Sequence, residues 1–211
     1  MKVVNSEVIV EDDVDGKEMI RKLEAAGRTC YKSEEKTHEG SAEEFIRKIL
    51  KSGHESVIEH EKVTVRFICD RGVSHEIVRH RIASYSQEST RYCNYSKEPF
   101  GKEISVVAPC YWKDNEKMMA IWAESMKQAE KFYFTLIESG ANPQEARSVL
   151  PNSLKTEIVV TMNLREWRHF FKLRIAKKSH PQMREVAISA LQKLKRLIPV
   201  IFDDIEVLKA G

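Results

Sequence analysis

The stretch "SLKTEIVVTMNLREWRHFFKLR" (residues 153–174) changes character half-way, and its two halves set the fold class. Residues 153–163 read as a strand, and residues 164–174 read as a helix. Asn163 and Arg165 fall where one gives way to the other. Arg174 follows the apolar Phe170, Phe171 and Leu173, so it projects from a packed helix. Outward from this junction the same alternation of periods recurs. Residues 62–70 carry Val63, Val65, Phe67 and Cys69 on one side of a half-buried strand, and residues 2–10 alternate as a first strand. A short helix over residues 15–27 closes at Gly27. In the next, Ser41 and Glu44 have capping-box spacing, Phe45, Ile46, Ile49 and Leu50 share a face, and Gly53 ends it. Residues 72–81 read as helical. A long amphipathic helix over residues 115–139 stops at Gly140, and Asn142 with Pro143 opens a short one. Pro181 opens a last helix to about Leu197, resuming after Pro199. Strands and helices in separate runs predict an α+β fold. The expectation is a single domain over residues 1–211, with a small mixed or antiparallel sheet flanked by helices and a helix-rich C-terminal half.

Composition excludes several classes. Lys and Arg number 35 against 32 Asp and Glu, a net charge of +3, so any affinity for anions is local rather than global. The first dozen residues turn acidic and hold no apolar segment of signal-peptide type. No apolar run approaches the ~18 residues a membrane helix needs. A cytoplasmic location and no membrane partner follow as expectations. Cys30, Cys69, Cys93 and Cys110 are widely spaced without a C-x-x-C, which suits reduced thiols rather than a disulfide or zinc framework.

The eight glycines are too scattered for a G-x-G-x-x-G turn or a P-loop, and there is no G-x-S-x-G elbow. A bound nucleotide would be held by side chains. "HESVIEH" (residues 54–60) has its histidines six apart, whereas a shared metal on a helix needs four, so no metal site is expected. "RHRIASYSQESTRYCNY" (residues 79–95) joins Arg79, His80 and Arg81 to a loop dense in hydroxyls. On a helix three consecutive cations point about 100° apart and cannot share one small anion. In an extended segment Ser89 and Arg91 lie on one side, a hydroxyl and a guanidinium suited to phosphate. Spacing alone leaves two readings open, a pocket for two anionic ligands or a solvated loop.

These residues resemble the signature of the flavin-dependent thymidylate synthases: Arg-His-Arg, seven residues, then a serine, here Ser89. The resemblance extends to "GHESVIEH", "EARSVLP" and "NLREWRHFFKLR" with the following "HPQMRE". It implies reductive methylation of dUMP to dTMP, with methylenetetrahydrofolate as one-carbon donor and NADPH as reductant through bound FAD. No cysteine attacks the pyrimidine in that family. Matched by position, the resemblance assigns His54, Ser56, Arg79, His80, Arg81, Gln87, Asn163, Leu164, Arg165 and His169 to FAD. It assigns Glu76, Ile77, Val78, Arg79, Gln87, Glu88, Ser89, Thr90, Arg91, Arg147 and Arg174 to dUMP. The resemblance also implies that Arg174 is the catalytic residue, favouring ionisation of the uracil N3 and enriching C5 in electron density.

Three positions depart from the family pattern. Ser86 and Gln87 stand where many members have Asn-Glu, and His169 stands where some have Asn. The resemblance also implies a homotetramer with active sites shared between chains. The rival class is a nucleic-acid-binding module using the Arg-His-Arg and the adjacent tyrosines. It calls for a basic stripe, and the balanced charge argues against nucleic acid as a partner.

Overall fold

The change of period at residue 163 is a strand turning directly into a helix. A computed structural model describes residues 1–207. In chain order its elements are β1 (Lys2–Val4), β2 (Glu7–Val10), α1 (Gly16–Thr29), α2 (Ser41–Lys51), β3 (Lys62–Asp70), α3 (Arg71–Ile77), β4 (Ser84–Gln87), β5 (Ser105–Val107), α4 (Glu116–Glu138), α5 (Pro143–Ala146), β6 (Lys155–Asn163), α6 (Leu164–Arg174), α7 (Pro181–Leu197) and α8 (Pro199–Phe202). The fold is α+β, with small sheets, flanking helices and a helix-rich second half, as expected. There are two sheets: a four-stranded one in the order β2-β3-β6-β4, and a parallel pair β1-β5 with Val3 opposite Val106. The expected single strand over residues 2–10 is therefore two strands in two sheets, separated at Asn5 and Ser6.

The chain forms two compact units from interleaved segments. The first holds Met1–Glu7, Phe67–Arg79 and Ser86–Val159; the second holds Val8–Arg66, His80–Tyr85 and Val160–Gly211. In the first, Ile104, Val106, Trp122, Met126, Tyr133 and Leu154 form the core, and Trp122 Nε1–H donates to Ser153 Oγ at 3.1 Å. In the second, α6 supplies the largest apolar surface. Trp167 stacks on Phe171 at 5.6 Å, Phe171 meets Phe202 edge-on, and Trp167 Nε1–H donates to the Val63 carbonyl at 2.9 Å. All three rings are fully buried, which makes α6 the central element of that unit.

Four local expectations change. Gly27 lies inside α1, which runs on to Thr29, because α1 comes so close to Phe45 that a Cβ on Gly27 would sit 2.6 Å from two ring carbons. The Ser41–Glu44 capping box does not form: Gly40 at φ +86° is the N-cap, and Ser41 Oγ is drawn to the His38 carbonyl and Glu24 Oε2. α3 stops at Ile77, so Arg79, His80 and Arg81 lie beyond its end. Residues 84–87 of the hydroxyl-rich segment are strand β4, and Ser89 to Tyr92 is a turn, closed by Tyr92 and Cys93 N–H bonds to the Ser89 carbonyl.

The close approach at Gly27 gives a stability test. An added methyl there gains about 1 kcal/mol of helix propensity but overpacks against an aromatic ring, at about 1–3 kcal/mol. Gly27→Ala is expected to lower stability by about 1 kcal/mol in urea unfolding, and a stabilised variant would contradict this packing.

Candidate active site

In the second unit the site is written by the register of α6. Asn163 caps the helix, its Oδ1 accepting from Glu166 N–H at 2.8 Å, while Leu164 N–H is taken by the Glu61 carbonyl. With the first turn fixed, residues three and four apart share a face. Arg165, His169 and Lys172 face a cavity of about 450 Å³ lined also by Asn163, Glu166, Glu55, Glu59 and Ile82. Its carboxylates have cationic or imidazole partners: Glu59 pairs with Arg165, Glu55 with Arg168 at 3.2 Å and Lys172 at 3.6 Å, and Glu166 with His80. Arg168 turns the other way and forks onto Asp204 at 2.6 and 2.8 Å, holding that carboxyl below its usual range.

His80 is the buried centre of this site, 4 % exposed. Its Nδ1 lies 3.2 Å from Glu166 Oε1, and its Nε2 accepts from Arg174 Nε–H at 3.0 Å. Phe170 meets the ring edge-on at 4.9 Å, and Tyr85 O–H donates to the His80 carbonyl. Burial, then the Arg174 and His169 charges, push the His80 pKa down to about 4, so the ring is neutral near neutrality. Burial raises the Glu166 pKa, with His169 opposing. His80, Glu166 and His169 hold ligand atoms within 4.8 Å of one another. Both ring nitrogens of His80 are engaged, however, so a cation there would have to displace Glu166 or face Arg174. His80 and Glu166 are hydrogen-bonded, and the His169 ring meets His80 edge-on at 5.7 Å.

The remaining expected residues sort by unit. His54, Ser56 and Arg81 are exposed in the second unit, the first two at the 3-10 turn Glu55–His60. Leu164 is fully buried and does not line the cavity along α6. In the first unit, Ile77 is fully buried, Glu76 half-buried, and Val78 and Arg79 are exposed. Gln87 Nε2 donates to Ser74 Oγ at 2.9 Å and Thr156 Oγ1 at 3.2 Å, and Glu88 accepts from Tyr95 O–H and Lys155. Both side chains thus have partners within their own unit. Arg91 N–H donates to Ser89 Oγ at 3.3 Å, so the turn rather than an extended chain keeps that pair adjacent. Arg147 Nη1 reaches Thr90 Oγ1 at 3.4 Å beside a cavity of about 240 Å³ lined by Arg71, Ser148 and Asn152 as well. Sequence reasoning missed Arg71, whose buried Nη1 has no hydrogen-bond partner among the described residues. Its signal was a cation directly after a strand end, at Asp70.

With this geometry in view, comparison with known proteins identifies the chain's relatives. The family model described as "thymidylate synthase complementing protein" matches residues 14–200. The chain belongs to that family. A flavin-dependent thymidylate synthase of Geobacter sulfurreducens is 37% identical over 186 residues, covering 85% of this chain and 78% of its own. That of Pyrococcus horikoshii is 41% identical over 171 residues, covering 79% and 70%. The chain is therefore an enzyme of the flavin-dependent thymidylate synthase family, as its motifs led one to expect. In fold it is similar to the UMP/dUMP methylase PolB of Streptomyces cacaoi, solved with 5-Br dUMP, with a TM-score of 0.78 at 24% identity over 96% of each chain.

The buried imidazole predicts an acid sensitivity. A histidine titrates near 6.5 when unfolded and His80 near 4 in the fold, so between these values the unfolded chain binds more protons. Stability is then complete above about pH 6.5 and falls as pH drops towards about 4, with the raised pKa of Glu166 opposing in the lower part of that window. Urea midpoints are expected to fall on acidification in this window, and to fall less in a His80→Asn variant. An equal fall in both would assign the sensitivity to other groups.

Proposed function

We propose that this family member converts dUMP to dTMP by reductive methylation, with methylenetetrahydrofolate as the one-carbon donor, NADPH as the reductant and FAD as the resident cofactor. The observation that carries this reading is Arg174, a guanidinium at the end of α6 anchored on a buried neutral imidazole, whose other nitrogen meets Glu166 in the lining of the cavity along α6. A fixed cation beside the uracil N3 stabilises the anion left when that proton departs, and the charge enriches C5, where the new carbon attaches. No reorganisation is needed during the reaction, because Arg174 is already held.

The cavity along α6 suits the flavin. Asn163 and His169 offer polar atoms and Ile82 gives an apolar wall for a heteroaromatic ring, while Arg165 and Lys172, each half exposed and paired with Glu59 and Glu55, would turn to its phosphates. The flavin, when bound, would supply the hydride, taken from NADPH, that reduces the transferred one-carbon unit from the methylene to the methyl level. His54, Ser56, Arg79, His80 and Arg81 complete its contacts in this reading. The phosphate of dUMP is received by Ser89, Thr90, Arg91 and Arg147, with Arg71 beside them; among the described residues lining that cavity none is a carboxylate. Glu76, Ile77, Val78, Gln87 and Glu88 frame the nucleotide, the last two through the backbone they hold in place.

Thiol chemistry is poorly supported. Burial pushes the Cys69 thiol up, with Asp70 adding to the shift and Arg71 opposing it, and burial also raises that of Cys93, so neither is a ready thiolate. A homotetramer in the cytoplasm, with sites shared between chains, completes the proposal. In its favour, Met118, Ile121 and Phe132 share one face of α4 and remain exposed, an apolar stripe suited to burial against another copy. Among the described residues no helix is long and apolar enough to cross a membrane.

Purified protein is expected to be yellow, to bleach with NADPH under anaerobic conditions, and to form dTMP when dUMP and methylenetetrahydrofolate are added. A colourless protein that cannot be reconstituted with FAD would contradict the proposal. Arg174→Ala is expected to cut turnover by about 10²–10³-fold with the flavin retained, the usual effect of removing one preorganised donor. Near-normal turnover in that variant would remove Arg174 from the mechanism. Replacing all four cysteines by Ala should preserve dTMP formation in the folded protein, and loss of turnover in one folded single variant would restore a thiol to the chemistry.

A further inference from the structure

Glu166 touches neither Arg174 nor the cavity's cations in any way that the proposed chemistry uses, yet it is 7 % exposed and aims its carboxylate at His80. We propose that Glu166 is a positioning residue: it holds the His80 proton on Nδ1, so that Nε2 presents its lone pair to Arg174 Nε–H and sets the plane of the catalytic guanidinium. The proposal rests on the reading that Arg174 acts on the pyrimidine.

The two distances fix the direction of the chain of hydrogen bonds. Arg174 Nε can only donate, so the His80 Nε2 it meets at 3.0 Å has to be unprotonated. The proton of a neutral ring is then on Nδ1, 3.2 Å from a carboxylate that can only accept. The opposite tautomer would set two donors against each other at Nε2 and two acceptors at Nδ1. In a site this dry, both contacts would be strongly unfavourable. Protonation of the ring would likewise remove the acceptor, and the depressed His80 pKa keeps that state rare near neutrality.

Geometry also restricts the ring itself. The Phe170 edge contact at 4.9 Å, the His169 ring at 5.7 Å and the Tyr85 bond to the His80 carbonyl leave little freedom to rotate. A guanidinium is planar, so an anchored Nε fixes the plane in which its Nη nitrogens meet a ligand. Glu166, His80 and Arg174 thus form a line from a buried acid to the atoms that would face the substrate, and both links tie α6 to the distant His80.

The test is the His80 tautomer, read from ¹⁵N shifts of histidine-labelled, substrate-free protein, together with steady-state kinetics. Wild type is expected to show Nδ1–H. Glu166→Gln, whose amide oxygen can accept from Nδ1–H, should keep that tautomer and turn over within about threefold of wild type. Glu166→Ala should show mixed tautomers, and a kcat about 10- to 100-fold lower at nearly unchanged KM for dUMP, as for a misplaced catalytic group. Wild-type protein with the proton on Nε2 overturns the proposal without any variant. So does a folded Glu166→Ala protein with the wild-type tautomer and kcat, or an equal loss in the Gln and Ala variants. A wild-type enzyme that does not methylate dUMP overturns the functional reading alone, because the tautomer is measured with no substrate present.

Discussion

The register of α6 is set at one point, the Asn163 cap, and the chemistry of the second unit depends on it. A cap is worth only about 1 kcal/mol in stability. Its structural consequence is far larger, because a one-residue slip turns every side chain on the helix by about 100°. Such a slip would take Trp167, Phe170 and Phe171 out of the core and Glu166 away from His80. It would also remove Arg168 from Asp204. The apolar face therefore enforces what the cap begins: core packing supplies the energy, and the polar residues between the aromatic ones inherit their directions from it.

Comparison of two of the second unit's buried polar networks separates structure from function. Glu24, Arg28 and Ser41 form one, with Arg28 bonding Glu24 at 2.6 and 2.8 Å and Ser41 Oγ donating to Glu24 Oε2 at 2.9 Å. Arg28 also stacks over Phe45, and none of these residues lines the cavity along α6. Its members satisfy one another, and joining α1 to α2 accounts for it. Glu166, His80 and Arg174 form the other. Here Glu166 lines the cavity, and the chain of bonds ends on a half-exposed guanidinium. A network that opens onto a cavity and ends in a cation is poor economy for stability alone, since burying charge costs more than apolar packing would. Its placement makes sense if the cation meets a ligand.

The elements with strong periodicity were legible before any coordinates. β3, α6 and α7 have the limits their patterns gave, β6 starts at Lys155 rather than Ser153, and Asn142 with Pro143 opens α5 as its sequence signals. Legibility failed where tertiary contact outweighs a local signal. Gly27 looked like a helix end and is instead a point of close approach to Phe45, and Ser41 looked like a cap and instead serves Glu24. The site was legible in its residue types, since His80, Arg174, Arg147 and Arg165 all came from motif and resemblance, although Lys172 did not. Its wiring was not. Nothing local couples Glu166 to a histidine 86 positions earlier, and Arg71 gave no periodic or motif signal, because both depend on how distant segments are folded together.

The Arg-His-Arg tripeptide shows how that folding resolves an ambiguity of sequence. Within a helix, Arg79, His80 and Arg81 would fan out, and a place in its last turn would make them counter-charges for the helix end. α3 ends at Ile77, so that explanation is not available. Beyond the helix the burial alternates: Arg79 exposed, His80 buried, Arg81 exposed, as for a chain whose successive side chains point to opposite sides. Two guanidiniums are left outward, where an anion can reach them, and the imidazole between them is turned inward to anchor Arg174. One tripeptide can then do two jobs, because α3 closes at its Val78 C-cap, just before the tripeptide begins.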